Sequence, residues 1–540
     1  MLEGSSPFYK RLFAVFFIAI TAWRFVYLFW LCPFDLAQDE AHYWDWSRHL
    51  DWSYYSKGPL VAWLIRGSLE LFGPMSVALS GSEMPAVRLP ALFCGSATLL
   101  ALWLLARRTL QSDRLAFFVA LVTSTMPIFS AVAVMITIDS PFVCCWAWAL
   151  VFGWRAIETD DRRWYLLTGL IIGIGILAKY TMLLWLVSLA GFLWFTPGFR
   201  GRLFSQRFWL MVGTAFACSL PILFWNASNG WVSFRHVAGQ AGVTVEARAG
   251  SFAKGLLNFV GGQFALLLGW WFIFWLMAVV RYRPARDVGP ARNYLWWLSW
   301  PTVAIFGIAS LRSPGQVNWP VAAYLSGSIL IVAWLAELLD SHPRFWRGWI
   351  RWNAGLACGV GIVATAVGLN SMMVREPLFA LAKRVKPNDP LAVRALDPTC
   401  RMRGWQRLGK AVDGVRGQVR DHEGAEPVLA GIYWNIPGEL GFYCDGHPDV
   451  YSLGPYIGER FNQYDLWRPN PVIDRERFAE RTFVVVNGHR EFLQGVFAEV
   501  ELANDFVYSE KNVPVARWPI WVCRGYRVTT LPTAAVRDGY

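Results

Sequence analysis

Apolar runs recur along this chain from Leu12 to about residue 372, each close to the ~20 residues an α-helix needs to cross a hydrocarbon core. In that solvent every backbone polar group must be satisfied within its own segment, which commits such runs to helix. The reading is therefore a polytopic α-helical membrane protein. Spans are expected near 12–32, 86–106, 115–135, 140–157, 164–178, 181–196, 208–225, 255–280, 294–311, 320–338 and 352–372, about eleven transmembrane helices. A chain of 540 residues with 55% apolar residues and mean hydropathy +0.34 is not a soluble enzyme. Its 32 tryptophans fit the same reading, because indole rings favour the membrane interface.

The loops sort by charge. Alternate connections carry Lys10/Arg11, Arg107/Arg108/Arg114, Arg155/Arg162/Arg163, Arg200/Arg202/Arg207, Arg281/Arg283/Arg286/Arg292 and Arg344/Arg347/Arg351. Short basic loops stay cytoplasmic, so the N-terminus is expected inside. The loop at 33–85, the connections at Asp139 and 226–254, and the C-terminal tail are expected outside. The first span reads as a retained helix rather than a cleaved signal. The net charge of +12 is largely this cytoplasmic arginine. No recognition motif accompanies it, so nucleic acid is excluded as a partner.

After residue 374 charged residues, Pro and Gly rise. Short β-like runs appear at 427–434, 480–488 and 526–531, alternating with helix-like stretches such as RGWQRLGKAVDGVRGQV. The organisation read is a membrane domain over 1–374, including the external loop, and a soluble α/β domain over 375–540. Cys400, Cys444 and Cys523 in that tail allow at most one internal disulfide. The other six cysteines lie in or beside spans and read as small core residues.

Chemistry concentrates in the external loops. The first, QDEAHYWDWSRHLDWSYYSKGPL, brings Asp39, Glu40, His42, Tyr43, Asp45, Tyr55 and Lys57 directly after the first span. Asp39 and Glu40 begin an expected helix, where the dipole alone accounts for acidic residues. Lys57 sits in a Gly-Pro turn that brings it back toward them. A carboxylate beside a lysine suits deprotonating a hydroxyl next to a bound phosphate, the lysine serving as a point charge. Asp139, in MITIDSPF, is either a second external carboxylate or an ordinary helix start with Pro just inside. Lys179 beside Tyr180 occupies a tight external turn, as a phosphate contact or a snorkelling lysine. Arg235 and His236 lie in NASNGWVSFRHVAGQ, and Arg312, Gln316 and Asn318 in SLRSPGQVNWPVAAY. Both arginines are candidate phosphate clamps. Asp39, Asp139 and His236 are candidate ligands should a divalent metal take part. There is no phosphate loop on the cytoplasmic side, no H-E-x-x-H and no G-x-S-x-G, so ATP hydrolysis, zinc proteolysis and serine-hydrolase chemistry have no support. Carboxylates gathered at one face rather than mid-span favour a surface enzyme over an ion-coupled carrier or flippase.

An external D-E in the first loop, a downstream K-G-P, T-I-D-S-P before the fourth span and a later K-Y pair together resemble the protein O-mannosyltransferase-like and lipid A aminoarabinose transferase-like glycosyltransferases of the C-type superfamily. The tail motif IGERFNQYDLW is similar to that of bacterial family 39-like members. The resemblance covers roughly residues 10–330. It implies the C-type fold in a bacterial inner membrane, with the active site and tail periplasmic. It also implies a polyprenyl-phosphate sugar donor, an acceptor that is an envelope lipid, glycan or protein, and inversion in one displacement. On that basis Asp39 corresponds to the proposed general base, with Glu40 orienting it, Lys57 to the lysine on the donor phosphate, and Asp139 to the second external aspartate. His42, Tyr43, Tyr55, His236 and Asn318 are expected at the substrate. The aminoarabinose branch has E-K-P-P where this chain has S-K-G-P with Ser56, and an Arg where it has His42. Both departures weaken a metal site built on that Glu and an aminoarabinose substrate.

The chemistry that the resemblance implies is sensible on its own terms. A polyprenyl phosphate leaves as a stable anion, so an enzyme must stabilise phosphate charge and remove one proton. A carboxylate of pKa ~4 is a weak base for an alcohol, and burial of Asp39 is expected to strengthen it.

Overall fold

The computed structural model describes residues 6–240, 252–284, 288–312, 316–459 and 461–527. Its contacts divide the chain into two units. One comprises Met1–Leu31, Lys57–Leu64 and Phe72–Leu369, the other Cys32–Ser56, Ile65–Leu71 and Asn370–Tyr540. The last break falls five residues before the expected 374/375 boundary. The larger difference is that Cys32–Ser56, read from sequence as part of the membrane domain, folds with the tail.

The first unit is helical. Among the described residues seven helices are long and apolar enough to cross a membrane: Pro7–Leu31, Leu60–Ser80, Met84–Leu110, Asp139–Thr159, Gln206–Ser228, Ala323–Ser341 and Arg344–Leu369. Lys254–Leu266 and Trp270–Arg281, bent by 108°, make an eighth if counted as one span. The protein is an integral membrane protein. Other expected spans form as shorter helices, and their breaks have local causes. Residues 115–135 become Asp113–Ser124 and Pro127–Val132, since Pro127 starts a helix but cannot continue one. Residues 294–311 become Pro290–Trp297 and Trp300–Ala309, with Pro301 opening the second. Helix Leu60–Ser80 lies inside the stretch expected to be loop. Close packing comes from small residues. Gly169 and Gly173, four apart on Arg162–Ala178, face Gln206–Ser228, where added Cβ atoms would come within 2.4 Å of the Met211 carbonyl oxygen and of Cys218 Cβ.

The second unit carries a five-stranded sheet of order β2-β1-β3-β5-β4, with β1 Val428–Gly431, β2 Val450–Ser452, β3 Phe483–Val486, β4 Phe497–Glu510 and β5 Val513–Tyr526. β1 runs parallel to β2 and β3; β5 runs antiparallel to β3 and β4. Helix Trp405–Glu423 lays Leu408, Val412, Val415 and Val419 on one sheet face, against Val484, Val486, Trp518 and Ile520. Phe483, Phe497, Val485 and Tyr526 build the core on the other face. The β4–β5 hairpin was not evident from sequence. Its turn is Lys511-Asn512, both at positive φ (46° and 65°), a geometry signalled more often by Asn-Gly. The strand expected at 526–531 instead ends at Tyr526; residues 528–531 lie outside the described residues, as do Arg286, Arg460 and the glycine-rich stretch 241–251. All nine cysteines are free thiols, and those of the tail are buried.

Candidate active site

Three residues singled out from separate loops meet in the membrane unit. Lys179 Nζ donates to Asp139 Oδ1 at 2.7 Å, and Asn318 Nδ2 donates to Asp139 Oδ2 at 2.6 Å. The Lys179 and Asp139 side chains are only 7% and 8% exposed. The ammonium also lies 5.3 Å from the Phe142 ring centroid. Asp139 is the first residue of its helix, not the N-cap, which is Ile138. Each carboxylate oxygen has a donor, so Asp139 anchors the ends of three segments rather than standing ready as a metal ligand. Among the described residues no three His, Cys, Asp or Glu side chains cluster to hold a metal.

The Lys57 turn is fixed to the same end of this unit. A Cβ on Gly58 would stand 2.1 Å from the carbonyl oxygen of Leu177, two residues before Lys179. Only glycine lets the two backbones approach so closely. Lys57 is half-buried. Tyr180 packs its ring on Phe234 at 5.7 Å, bringing in helix Val232–Gln240. That helix turns Arg235 outward and buries His236. Arg312 is exposed, beyond Trp300–Ala309. Arg88, buried near the start of Met84–Leu110, went unremarked in the sequence. A cation interrupting an apolar run was the available signal.

The first-loop carboxylates belong to the C-terminal unit. Gln38–Arg48 forms the expected helix, with Ala37 as N-cap. Glu40 is fully buried, and its Oε2 accepts the Ala37 N–H at 2.9 Å, so it caps the helix. Asp39 is exposed in the first turn. The expected burial of this base does not occur, because its neighbour takes the inward position; the helix N-terminus favours its charge instead.

The tail holds this loop along its length. Asp35 accepts the Trp405 N–H at 2.9 Å, and Leu36 N–H donates to the Tyr443 hydroxyl at 2.6 Å. Gly438, in helix Ile436–Tyr443 after β1, lies against the Ala41 backbone, where a Cβ would fall 2.8 Å from its carbonyl. Arg48 donates to Asp449 at 3.1 Å. Tyr55 N–H donates to Gln463 Oε1 at 2.7 Å, which gives the motif IGERFNQYDLW a physical task. His42, Tyr43 and Tyr55 are buried. His42 packs between Trp46, Trp434 and Tyr464, with centroids 4.9, 5.5 and 5.1 Å away, and Tyr43 lies 5.0 Å from Trp46. In this unit these three side chains pack into the interior.

Around His42 lies a cluster the sequence did not single out as a site. Burial pushes Asp45 up to about 6, opposed by Arg48 and the Tyr464 phenol. Burial likewise pushes Asp465 up to about 7, opposed by the Asn462 N–H and assisted by Glu459. Glu439 is fully buried nearby. Nothing in the local pattern around 439 or 465 announces burial; it follows from packing between segments some 400 positions apart.

Comparison with known proteins bears on this arrangement. The dolichyl-phosphate-mannose-protein mannosyltransferase family matches residues 56–225, a stretch holding Lys57, Asp139 and Lys179. A lipid A galacturonosyltransferase, RgtD of Rhizobium johnstonii, is 28% identical over 349 residues, 64% of this chain and 67% of that one. The chain is a membrane glycosyltransferase similar to the C-type, family 39-like enzymes. A lipopolysaccharide core galacturonosyltransferase of the same organism, RgtA, aligns with this glycosyltransferase at 26% identity, over 48% of this chain and half of its own length. In fold, the glycosyltransferase is similar to ArnT from Cupriavidus metallidurans bound to undecaprenyl phosphate. That likeness has a TM-score of 0.61 at 18% identity, covering 94% of this chain and 97% of that one.

Proposed function

We propose that this glycosyltransferase moves a sugar from a polyprenyl-phosphate carrier to an envelope lipid or glycan of the lipid A type, at the periplasmic face. The observation that carries the reading is the 349-residue match to a lipid A galacturonosyltransferase, supported by the fold shared with a protein solved with undecaprenyl phosphate. An acceptor hydroxyl oxygen attacks the anomeric carbon, and the bond from that carbon to the phosphate oxygen breaks. Polyprenyl phosphate leaves as the anion, Asp39 takes the hydroxyl proton, and configuration inverts. Lys57 neutralises the leaving phosphate, with Arg235 and Arg312 as further cations at that face. The buried Asp139–Lys179–Asn318 set holds the turns in place, its lysine charge already matched by Asp139.

The sidedness is supported by two ion pairs, at the helix ends and within Leu60–Ser80. Lys10 lies 3.8 Å from Asp113, so an even number of crossings separates them. Three helices intervene, Pro7–Leu31, Leu60–Ser80 and Met84–Leu110, and one of them does not cross. Leu60–Ser80 is that one: its middle carries Arg66 paired with Glu70 at 2.6 Å, 46% and 60% exposed, costly in hydrocarbon and natural at an interface. With that helix set in the interface, eleven crossings remain, counting the shorter helices. The basic clusters then share one side, and Lys57, Lys179 and Asn318 the other.

The test is transfer of label from radiolabelled polyprenyl-phosphate sugars into membranes, comparing wild type with Asp39→Asn and Lys57→Ala. Asp39→Asn is expected to lower transfer ~10²–10⁴-fold with donor binding retained. Lys57→Ala is expected to weaken donor binding more than Asp39→Asn does. Undiminished transfer by Asp39→Asn would remove Asp39 from the chemistry. Label in protein rather than lipid or glycan would replace the acceptor class.

A further inference from the structure

We infer that a cleft of about 230 Å³ on the C-terminal unit, where β1 and β2 begin, binds an anionic sugar of the acceptor. Its volume lies below the ~300 Å³ at which pockets for drug-sized ligands begin, which suits one sugar ring with its charged group. Tyr451 and Phe478 form an aromatic wall, their rings 5.2 Å apart and nearly perpendicular. Arg416, Arg477 and Arg481 also line it, together with Glu426 and Asp449.

Of these cations Arg416 is matched by Glu426 and Asp413, which leaves Arg477 and Arg481 to meet a ligand. Glu426 is bonded by Arg416, which Asp413 at 3.2 Å and the Asp445 carbonyl at 3.0 Å also hold. Asp449 accepts from Arg48 at 3.1 Å. Arg481 is oriented by donating to the Glu426 carbonyl at 2.8 Å. Among the described residues neither Arg477 nor Arg481 has a carboxylate partner. Two guanidinium forks of this kind match a phosphate or a carboxylate, which each accept paired N–H donors. An aromatic wall beside them gives the ring somewhere to lie.

Position supports the assignment. Asp449 ties the rim to Arg48, and the nine residues of helix from Arg48 back to Asp39 contribute about 14 Å, at 1.5 Å per residue, to the separation of cleft and Asp39. A glycolipid carrying more than one charged sugar spans that distance, one residue held in the cleft while another presents its hydroxyl. Describing the sugar as the acceptor's rests on the transferase reading above; the binding itself does not.

The experiment is titration of full-length protein in lipid nanodiscs by calorimetry, using glucose 6-phosphate and galacturonate as probes, with glucose and inorganic phosphate beside them. One or both anionic sugars should bind, with glucose at least tenfold weaker, and Arg477→Gln/Arg481→Gln should weaken them at least tenfold. Whichever probe binds tighter names the anion. The same pair of substitutions should raise the KM for a glycolipid acceptor without moving that for the donor. Equal binding of glucose, equal binding of inorganic phosphate, or binding unchanged by the paired substitution would each overturn the cleft as an anionic-sugar site. Binding as expected in a protein that transfers no sugar would leave the cleft standing and reject the transferase reading.

Discussion

The two ends of the membrane unit handle charge in opposite ways. At one end arginines and lysines pair with carboxylates at the helix ends: Lys10 and Arg107 with Asp113, Arg108 with Glu158, Arg207 with Asp160, and Arg281 and Arg292 with Glu337 at 3.2 and 2.9 Å. Their cationic members are about a third to a half exposed. At the other end the pair of Lys179 with Asp139 is almost wholly buried and shared with Asn318. Where both members are exposed, as in Arg207–Asp160, a pair gains little because water already solvates both; Asp113, 3% exposed, is instead the buried member of its pairs with Lys10 and Arg107. A buried pair holds its geometry because either partner alone would be an uncompensated charge. The two ends therefore differ in how firmly their charges are held.

The largest effect expected from breaking this contrast is at Lys179. Lys179→Met leaves the Asp139 carboxylate buried beside one amide, and should lower stability by about 3–5 kcal/mol. Thermal unfolding in detergent measures it. Adding Asp139→Asn to that variant should recover much of the loss, the mark of direct coupling. A loss under about 1 kcal/mol would mean that the pair is no more than another surface bridge.

A buried carboxylate with no cation at all sharpens the contrast, and the C-terminal unit supplies one. Among the described residues no cation pairs with Asp465, and burial pushes it up to about 7. Asp45, at about 6, is relieved in part by Arg48. Raised in the folded state, Asp45 holds a proton between pH 4 and 6, and Asp465 between pH 4 and 7, that the unfolded chain has released. Their contribution is therefore fully present below pH 4, falls as pH rises through 6 and 7, and stays lost above. The upper limits are roughly 3 kcal/mol for Asp45 and roughly 4 kcal/mol for Asp465. Urea unfolding followed by tryptophan fluorescence should give a lower midpoint at pH 8 than at pH 5. Asp465→Asn should shrink that difference; an undiminished slope would assign it to other groups.

How much of this was legible in the sequence follows from the range of each interaction. The apolar runs and flanking arginines are local, so the helices and their basic ends could be read directly. Asp139, Lys179 and Asn318 could be named because each is a polar residue at the mouth of an apolar run, but their bonding to one another could not, since it joins positions up to 179 apart. Leu60–Ser80 was missed because Arg66 and Glu70 interrupt its apolar pattern mid-way. The assignment of Cys32–Ser56 to the tail was illegible because Tyr55 meets Gln463, and Ala41 meets Gly438, across nearly the whole chain. Burial of Asp45, Glu439 and Asp465 is a product of that same long-range docking.

The smallest effect is expected at the exposed end, and it serves as the control for all the others. Arg207 pairs with Asp160 with side chains 47% and 39% exposed. Arg207→Gln should cost about 0–1 kcal/mol, less at high salt, because both groups remain hydrated when the pair is lost. Thermal unfolding beside Lys179→Met, in the same detergent and salt, makes the comparison direct. A single substitution of this kind also leaves Arg200 and Arg202 in the same loop, so orientation in the membrane should not change. If Arg207→Gln were as damaging as Lys179→Met, charge at the two ends would be doing the same job. The difference between a label of sidedness and a frame for the site would then have to rest on Gly58, Asn318 and the packing around them.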